Sequence, residues 1–318
     1  MALIDRDILK AKELLESGEL VAIPTETVYG LAGNAFNIEA VTKIFEVKNR
    51  PSFDPLIVHI DSADRIFDIV KELPAKAKIL AERFWPGPLT LLLPKQDAIP
   101  DLVTSGMDTV AVRVPNQPLT SALLKALRFP LVAPSANPFG YVSPTAAQHV
   151  EDQLGGKIHY ILDGGSCPVG IESTIVGFEG DEAIIHRLGG LSKEKIESLI
   201  GKVQLMPHSS SNPKAPGMLK SHYSPGKKVI LGHLDNLLET YDAERAGIIC
   251  FKEPVASVPQ ERQQVLAPDG DLSTAAQHLF AALRSLDKLD IDFILAEYVP
   301  EHGLGLAIND RLTRAAAK

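Results

Sequence analysis

The sequence predicts an α/β protein in two units, a larger one with a mixed sheet and a smaller one of the same class. Three observations lead there. Short β-rich runs alternate with amphipathic stretches along most of the chain, as strands and covering helices do. Two of the runs, Ser173–Phe178 and Ala183–Leu188, are joined only by Glu179-Gly180-Asp181, a hairpin connection that a purely parallel sheet does not contain. Residues 204–226, QLMPHSSSNPKAPGMLKSHYSPG, crowd Ser, Pro and Gly without any period and so read as a linker. At ~150 residues per domain, 318 residues leave room for about two.

Element by element, the first 20 residues read as a helix with apolar Ile4, Ile8, Leu9, Leu14 and Leu15 and with Gly18 at the position after its end. Leu20–Ile23 is a strand and 38–47 a helix. Leu56–Ile60 is a strand, followed by helical stretches over about 62–72 and 75–84. Strands follow at Leu89–Leu93, Val110–Val114 and Leu131–Ala133, with a helix near 117–128. Ser143-Pro144-Thr145 has the chemistry of a helix start, Ser143 as N-cap and Pro144 at the first turn. Tyr160–Leu162 precedes the hairpin. Beyond the linker, VILGHL, AGIICF, QQVLAP and FILAEYV read as strands, with STAAQHLFAALRSLDKL as a helix between the last two. These make a second unit of about 90 residues, a normal domain size.

Composition bounds the function. Apolar residues are 45% and charged residues 23%, as in ordinary globular proteins. The net charge of −8 and isoelectric point near 5.6 exclude a uniformly basic nucleic-acid coat. Cys167 and Cys250 form neither a CxxC pair nor a disulfide framework, which fits a reducing compartment and gives no cysteine zinc site. No apolar run approaches the ~18 residues of a membrane span, and charges interrupt the first 20 residues at nearly every turn. A cytoplasmic protein with no membrane partner and no signal peptide is expected.

Five segments carry polar chemistry at strand ends. IPTETVYGLAGNAF (23–36) runs from a strand into a hydroxyl-rich turn, where Thr25 or Thr27 either caps a helix or lines a ligand pocket. Lys48-Asn49-Arg50-Pro51 follows a helix; the cations suit an anion, and Lys48 equally suits the helix dipole. His59 ends an apolar strand, a place for a core histidine as well as a catalyst. Trp85-Pro86-Gly87-Pro88 is a rigid turn presenting the single Trp as a packing anchor. Arg113 points to the opposite face from Val112 and Val114, so it needs a carboxylate or phosphate partner, either in a structural ion pair or in a ligand. Pro134–Thr145 joins a strand end to the expected helix. Gly170–Ile175 precedes Arg187. The chain has no P-loop and no GxGxxG. Four cations (Lys48, Arg50, Arg113 and Arg187) among many hydroxyls suit polyphosphate and carboxylate binding better than covalent catalysis by the protein.

In the order PTETVYGL, KNRP with PLIVH, WPGPLT, DTVAVRVP, APSAN with SPT, and ESTIV, these segments resemble the YrdC-like L-threonylcarbamoyladenylate synthases. APGMLKSHYSP and GLGLAINDRL are similar to the long form of that family. IHRLGG departs from the Arg-Pro-Gly run expected there, with Arg187 kept. The resemblance implies a YrdC-like twisted open sheet over 1–203, a linker or lid over 204–226, and a small Rossmann-like domain over 227–318. It implies a nucleotidyltransferase that makes L-threonylcarbamoyl-AMP from L-threonine, bicarbonate and ATP, with Mg²⁺ carried on the ATP phosphates. The product would pass to a tRNA-modifying transferase complex for N6-threonylcarbamoylation beside the anticodon, and weak RNA or tRNA binding is compatible with it. Thr25, His59, Arg113 and Ser173 are the implied threonine site. Lys48, Arg50, Thr109, Ser135, Asn137, Ser143 and Arg187 are the implied ATP and bicarbonate site, with Lys48 and Arg50 nearest the chemistry and Tyr223 folded over the pocket. A double-stranded-RNA-binding module would instead show salt-dependent RNA affinity without turnover. A carbamoyl-transfer domain like those of hydrogenase maturation would need carbamoyl phosphate.

Overall fold

The structure, a computed structural model, describes residues 1–206, 215 and 222–317. Eleven strands form one sheet. They are β1 (Leu3–Asp5), β2 (Val21–Ile23), β3 (Gly30–Asn34), β4 (Ile57–His59), β5 (Leu89–Pro94) and β6 (Thr109–Arg113). β7 (Leu131–Val132), β8 (Tyr160–Leu162), β9 (Thr174–Glu179), β10 (Glu182–Arg187) and β11 (Gln204–Leu205) complete it. The order β1-β8-β2-β3-β7-β4-β6-β5-β9-β10-β11 mixes parallel and antiparallel pairs, as the sequence predicts. Alternation divides the core into two layers. Val21 and Ile23 pack with Leu15, Leu123 and Leu131 on one face, while Ala22 packs with Val41, Ile44, Val58 and Leu80 on the other. Helices on both faces leave β2 and β4 buried along their whole length.

The second unit is a four-stranded parallel sheet: β12 (Lys228–Gly232), β13 (Ala246–Cys250), β14 (Gln263–Val265) and β15 (Phe293–Glu297), in the order β12-β15-β13-β14. The amphipathic helix Leu272–Asp287 and the helix Gly305–Ala316 pack against it and against each other. Leu279, Phe280, Leu283, Ile308 and Leu312 form its core together with Tyr223.

Several elements differ from expectation for identifiable reasons. The first helix begins at Ile8, because the Asp7 carboxylate accepts from the Leu9 and Lys10 amides. Ile4 belongs instead to an edge strand paired with β8. The 23–36 segment is a hairpin into β3, not a strand-to-helix connection: the Thr25 hydroxyl accepts from the Thr27 and Val28 amides, closing a turn rather than a helix. The 62–72 stretch is helical only as a 3₁₀ segment, Ala63–Asp68. Ser143 caps nothing. The helix runs from Ala147 to Leu154 with Ala146 as its cap, and the Ser143 hydroxyl is taken by Glu172. Within the expected linker, Gln204–Leu205 pairs with β10, Ala215 is buried against Ile57 and Ile175, and His222 and Tyr223 are buried. Pro207, Pro213, Pro216 and Met218 lie outside the described residues.

Candidate active site

The parallel pairing of β4 and β6 sets His59 directly beside Arg113 at the strand ends. Around them Thr25, Thr27, Gly30, Arg50, Ser135, Glu172, Ser173 and Arg187 line a cavity of about 50 Å³, closed by His222 and Tyr223. That is room for about four waters. The enclosure therefore suits a few atoms of a small ligand, and a nucleotide needs the His222–Tyr223 segment displaced.

Arg113 answers both readings of its position. Its Nη2 pairs with Glu26 Oε1 at 2.7 Å, both side chains buried. Nε donates to the Gly87 carbonyl of the Trp-Pro-Gly-Pro turn at 3.1 Å, and Nη1 donates to Thr27 Oγ1 at 3.0 Å. A guanidinium carries five N–H groups. Two are thus spent in hydrogen bonds that fix the plane of the fork, Glu26 balances the charge beside Nη2, and the guanidinium edge faces the cavity that Arg113 lines. Glu26, missed in the sequence, also accepts from the Asn116 amide at 3.1 Å. The available signal was a carboxylate between two threonines opposite an inward-facing Arg.

His59 is buried and its Nδ1 lies 3.2 Å from the Ile57 carbonyl. A carbonyl only accepts, so Nδ1 carries the proton and Nε2 presents a lone pair. Burial, reinforced by Arg113, lowers its pKa to about 3, so the ring is neutral at physiological pH. Ser173 Oγ is within 2.7 Å of Thr90 Oγ1 and accepts from Arg187 Nη2 at 3.0 Å, while Arg187 Nε donates to the Ser173 carbonyl. Burial lowers the Arg187 pKa to about 10. The IHRLGG departure keeps this geometry. Gly190 donates to the Glu172 carbonyl, and a Cβ at Gly189 would stand 2.3 Å from that oxygen, so the turn needs glycine there.

On the far wall, Arg50 pairs with buried Asp54 at 2.9 Å and donates to the Asp54 and Pro55 carbonyls. Lys48 is not among the lining residues. Its buried Nζ donates to the carbonyls of Ser135 and Asn137, holding the 135–137 loop, and burial followed by Arg50 lowers its pKa well below that of a free lysine. Asn137 Nδ2 donates to the Pro138 and Tyr141 carbonyls, and its buried Oδ1 has no hydrogen-bond partner among the described residues. Ser143 Oγ donates to Glu172 Oε1 at 2.6 Å. Thr109 stands apart. It opens β6, four residues or roughly 13 Å before Arg113, beside Asp108, Gly177 and His186 at a different depression.

Tyr223 is buried in the left-handed backbone region at φ 64, uncommon for a residue with a side chain. Its ring stacks on Phe280 at 5.4 Å, and the guanidinium carbons of Arg314 and Arg311 lie 4.7 and 5.2 Å from its centroid. His222 meets it edge-on at 4.2 Å. Burial, then the surrounding cations Arg314, Arg50, Lys48 and Arg187, push the His222 pKa well down. Thus Tyr223 touches the cavity with one part of its surface and the core of the second unit with the rest.

Residues 13–189 match a family model described as Telomere recombination, which unites Sua5, YciO and YrdC. Residues 191–317 match one described as Threonylcarbamoyl-AMP synthase, C-terminal domain. The chain is 42% identical to the threonylcarbamoyl-AMP synthase of Bacillus subtilis, over 98% of this chain and 93% of that protein. It is 42% identical to the one from Pyrococcus abyssi, over 96% and 93%. Among solved structures, P. abyssi Sua5 complexed with L-threonine superposes with a TM-score of 0.92 at 40% identity, covering 99% of this chain and 97% of that one.

Proposed function

The chain belongs to the threonylcarbamoyl-AMP synthase family, and from that premise we propose that it condenses L-threonine, bicarbonate and ATP into L-threonylcarbamoyl-AMP with release of pyrophosphate. The observation that carries this reading is the convergence of Arg50, Arg113 and Arg187 on one small enclosed cavity, roofed by Tyr223. The threonine carboxylate takes N–H groups of Arg113 that face the cavity, a charge-assisted bidentate contact. Its hydroxyl donates to the His59 Nε2 lone pair, with Thr25 and Ser173 bordering the same space.

The threonine nitrogen attacks the bicarbonate carbon, water leaves, and a carbamate forms. A carbamate oxygen then attacks the α-phosphorus of ATP and the bond to pyrophosphate breaks. Neither step needs an enzyme nucleophile, so the protein contributes position and fixed positive charge. Arg50 and Arg187 face the transferring phosphates, and Lys48 holds the loop of Ser135 and Asn137 over which the nucleotide lies. Ser143 borders the same loop. Magnesium would be carried by the ATP phosphates and would offset their charge, since the lining carboxylate, Glu172, is already held by Ser143 and Arg311. Closure of Tyr223 excludes water from an adenylate that water would hydrolyse. The product serves cytoplasmic N6-threonylcarbamoylation of tRNA by a downstream transferase complex.

Pyrophosphate release with single-component omissions tests the reading. Release that requires threonine, bicarbonate and ATP together supports it, whereas release from ATP and RNA alone, or only with carbamoyl phosphate, overturns it.

A further inference from the structure

Glu172 joins the two units. Its carboxylate is buried at 7% exposure in the segment preceding β9. Oε1 accepts from Ser143, and Oε2 accepts from Arg311 Nε at 3.2 Å and Nη2 at 3.1 Å. Arg311 lies on the helix Gly305–Ala316 of the second unit and is fully buried. Its Nη1 donates to the Leu188 carbonyl at 2.6 Å and pairs with Asp310 at 3.0 Å, and its guanidinium lies against Tyr223. One side chain therefore reaches the carboxylate that holds the Ser143 loop, the turn after Arg187, and the residue roofing the cavity. A neighbouring helix repeats the arrangement. Arg284 donates to the carbonyls of Val142 and Ser143, so Ser143 is gripped through both its backbone and its hydroxyl.

A buried ion pair adds little net stability compared with apolar packing, because desolvation cancels most of the attraction. What such a pair does fix is geometry, since each partner has few alternatives. Arg311 does not line the cavity, while Glu172 and Tyr223 do.

We propose that Arg311 is a positioning residue for the reaction: by fixing Glu172 and Tyr223 together it makes the second unit complete the catalytic pocket without touching substrate. The proposal rests on the threonylcarbamoyl-AMP synthase reading. The charged and titratable groups facing Glu172 are Arg311, Arg187 on β10, and Tyr223, with Asp310 behind Arg311. Burial opposes ionisation of Glu172, and Arg311, then Arg187 and the Ser143 bond, overcome it, leaving the carboxyl below the usual range. Without Arg311, burial is opposed mainly by Arg187, and the carboxyl shifts up towards neutrality.

The test compares the full-length protein with Arg311→Met, Arg311→Lys and the double variant Glu172→Gln/Arg311→Met, measuring kcat and KM from pH 5.5 to 8.5. Misplaced groups of this kind cost on the order of 10²-fold in rate. That loss should fall on kcat in Arg311→Met, with KM for threonine nearly unchanged because Arg113 is untouched. A new acid limb should enter the neutral range as Glu172 titrates. The double variant should recover about tenfold over Arg311→Met, because it leaves no uncompensated carboxylate. Arg311→Lys should fall between, since it keeps the charge without the fork. Unfolding without ligands gives a readout independent of activity. In Arg311→Met the folded-state pKa of Glu172 lies above its unfolded value, so stability relative to wild type falls as pH rises from about 5 to 8. If Arg311→Met does not fold, the other two variants carry the comparison. Wild-type kcat and pH profile in Arg311→Met, or a double variant no better than Arg311→Lys with no shifted limb in either, would overturn the proposal. A wild-type protein that makes no product would sink the reaction instead, and the melting comparison would still decide the Arg311–Glu172 link.

Discussion

The two walls of the cavity are built differently. The wall of Arg113, His59 and Ser173 is made wholly from the first unit, at strand ends of the large sheet, and each of its groups is oriented by a partner of the same unit: Glu26 and Thr27, Ile57, and Arg187. The opposite wall includes His222 and Tyr223, which are held by Phe280, Arg311 and Arg314 from the second unit. The first wall has its polar groups held in place as it stands. The second is set by how two units dock, and it occupies space that a nucleotide requires. A preorganised site and a closable one thus share one cavity, which suits a reaction joining a small substrate to a large one before water reaches the product.

The sharpest break in this comparison is Arg113→Ala. Threonine affinity should fall by at least ~100-fold while ATP affinity stays near wild type, because the lost contact is a desolvated charge pair on the preorganised wall. Calorimetry with each ligand separately decides it, and equal losses for both would mean the walls are not independent. Arg113→Lys should rescue little, since Lys cannot reproduce the fork.

Tyr223→Ala should act on the other wall. Turnover should drop and hydrolysed product accumulate, with threonine binding retained; coincident loss of threonine binding would refute the division. Serine in place of threonine should cost ~1–3 kcal/mol in kcat/KM, the worth of one methyl, leaving a slow substrate rather than a dead one.

His59 gives a pH test. Its folded-state pKa of about 3 lies below the unfolded value of 6.5, so its contribution to stability is present above pH 6.5 and is lost as pH falls below it. His59→Gln should remove about 2 kcal/mol of the stability difference between pH 7 and pH 5. Denaturant unfolding at the two pH values measures it. The smallest effect belongs to Thr109→Val. The residue stands a strand length from Arg113, so ATP affinity should not change, and a loss would return Thr109 to the site that the family resemblance assigns it.

Much of this was legible in the sequence. The mixed sheet follows from the alternating runs and the Glu179-Gly180-Asp181 turn, and the ordered motifs gather Thr25, Arg50, His59, Arg113, Ser135, Ser173 and Arg187 around one cavity. What was not legible depends on partners distant in the chain. Ser143 has every local feature of a helix cap, yet Glu172, 29 residues away, takes its hydroxyl. Leu3–Asp5 reads as the start of a helix until β8 offers a sheet edge. Glu26 and Arg311 are ordinary charged residues in a local window; only the fold sets them opposite Arg113 and Glu172.

The most direct measurement of the central claim is the mass of the product formed from ATP, ¹³C-labelled bicarbonate and L-threonine. The account predicts an adenylate whose mass contains threonine, AMP and one labelled carbon, formed one-for-one with pyrophosphate. An unlabelled threonyl adenylate, or label incorporated without threonine, would contradict it.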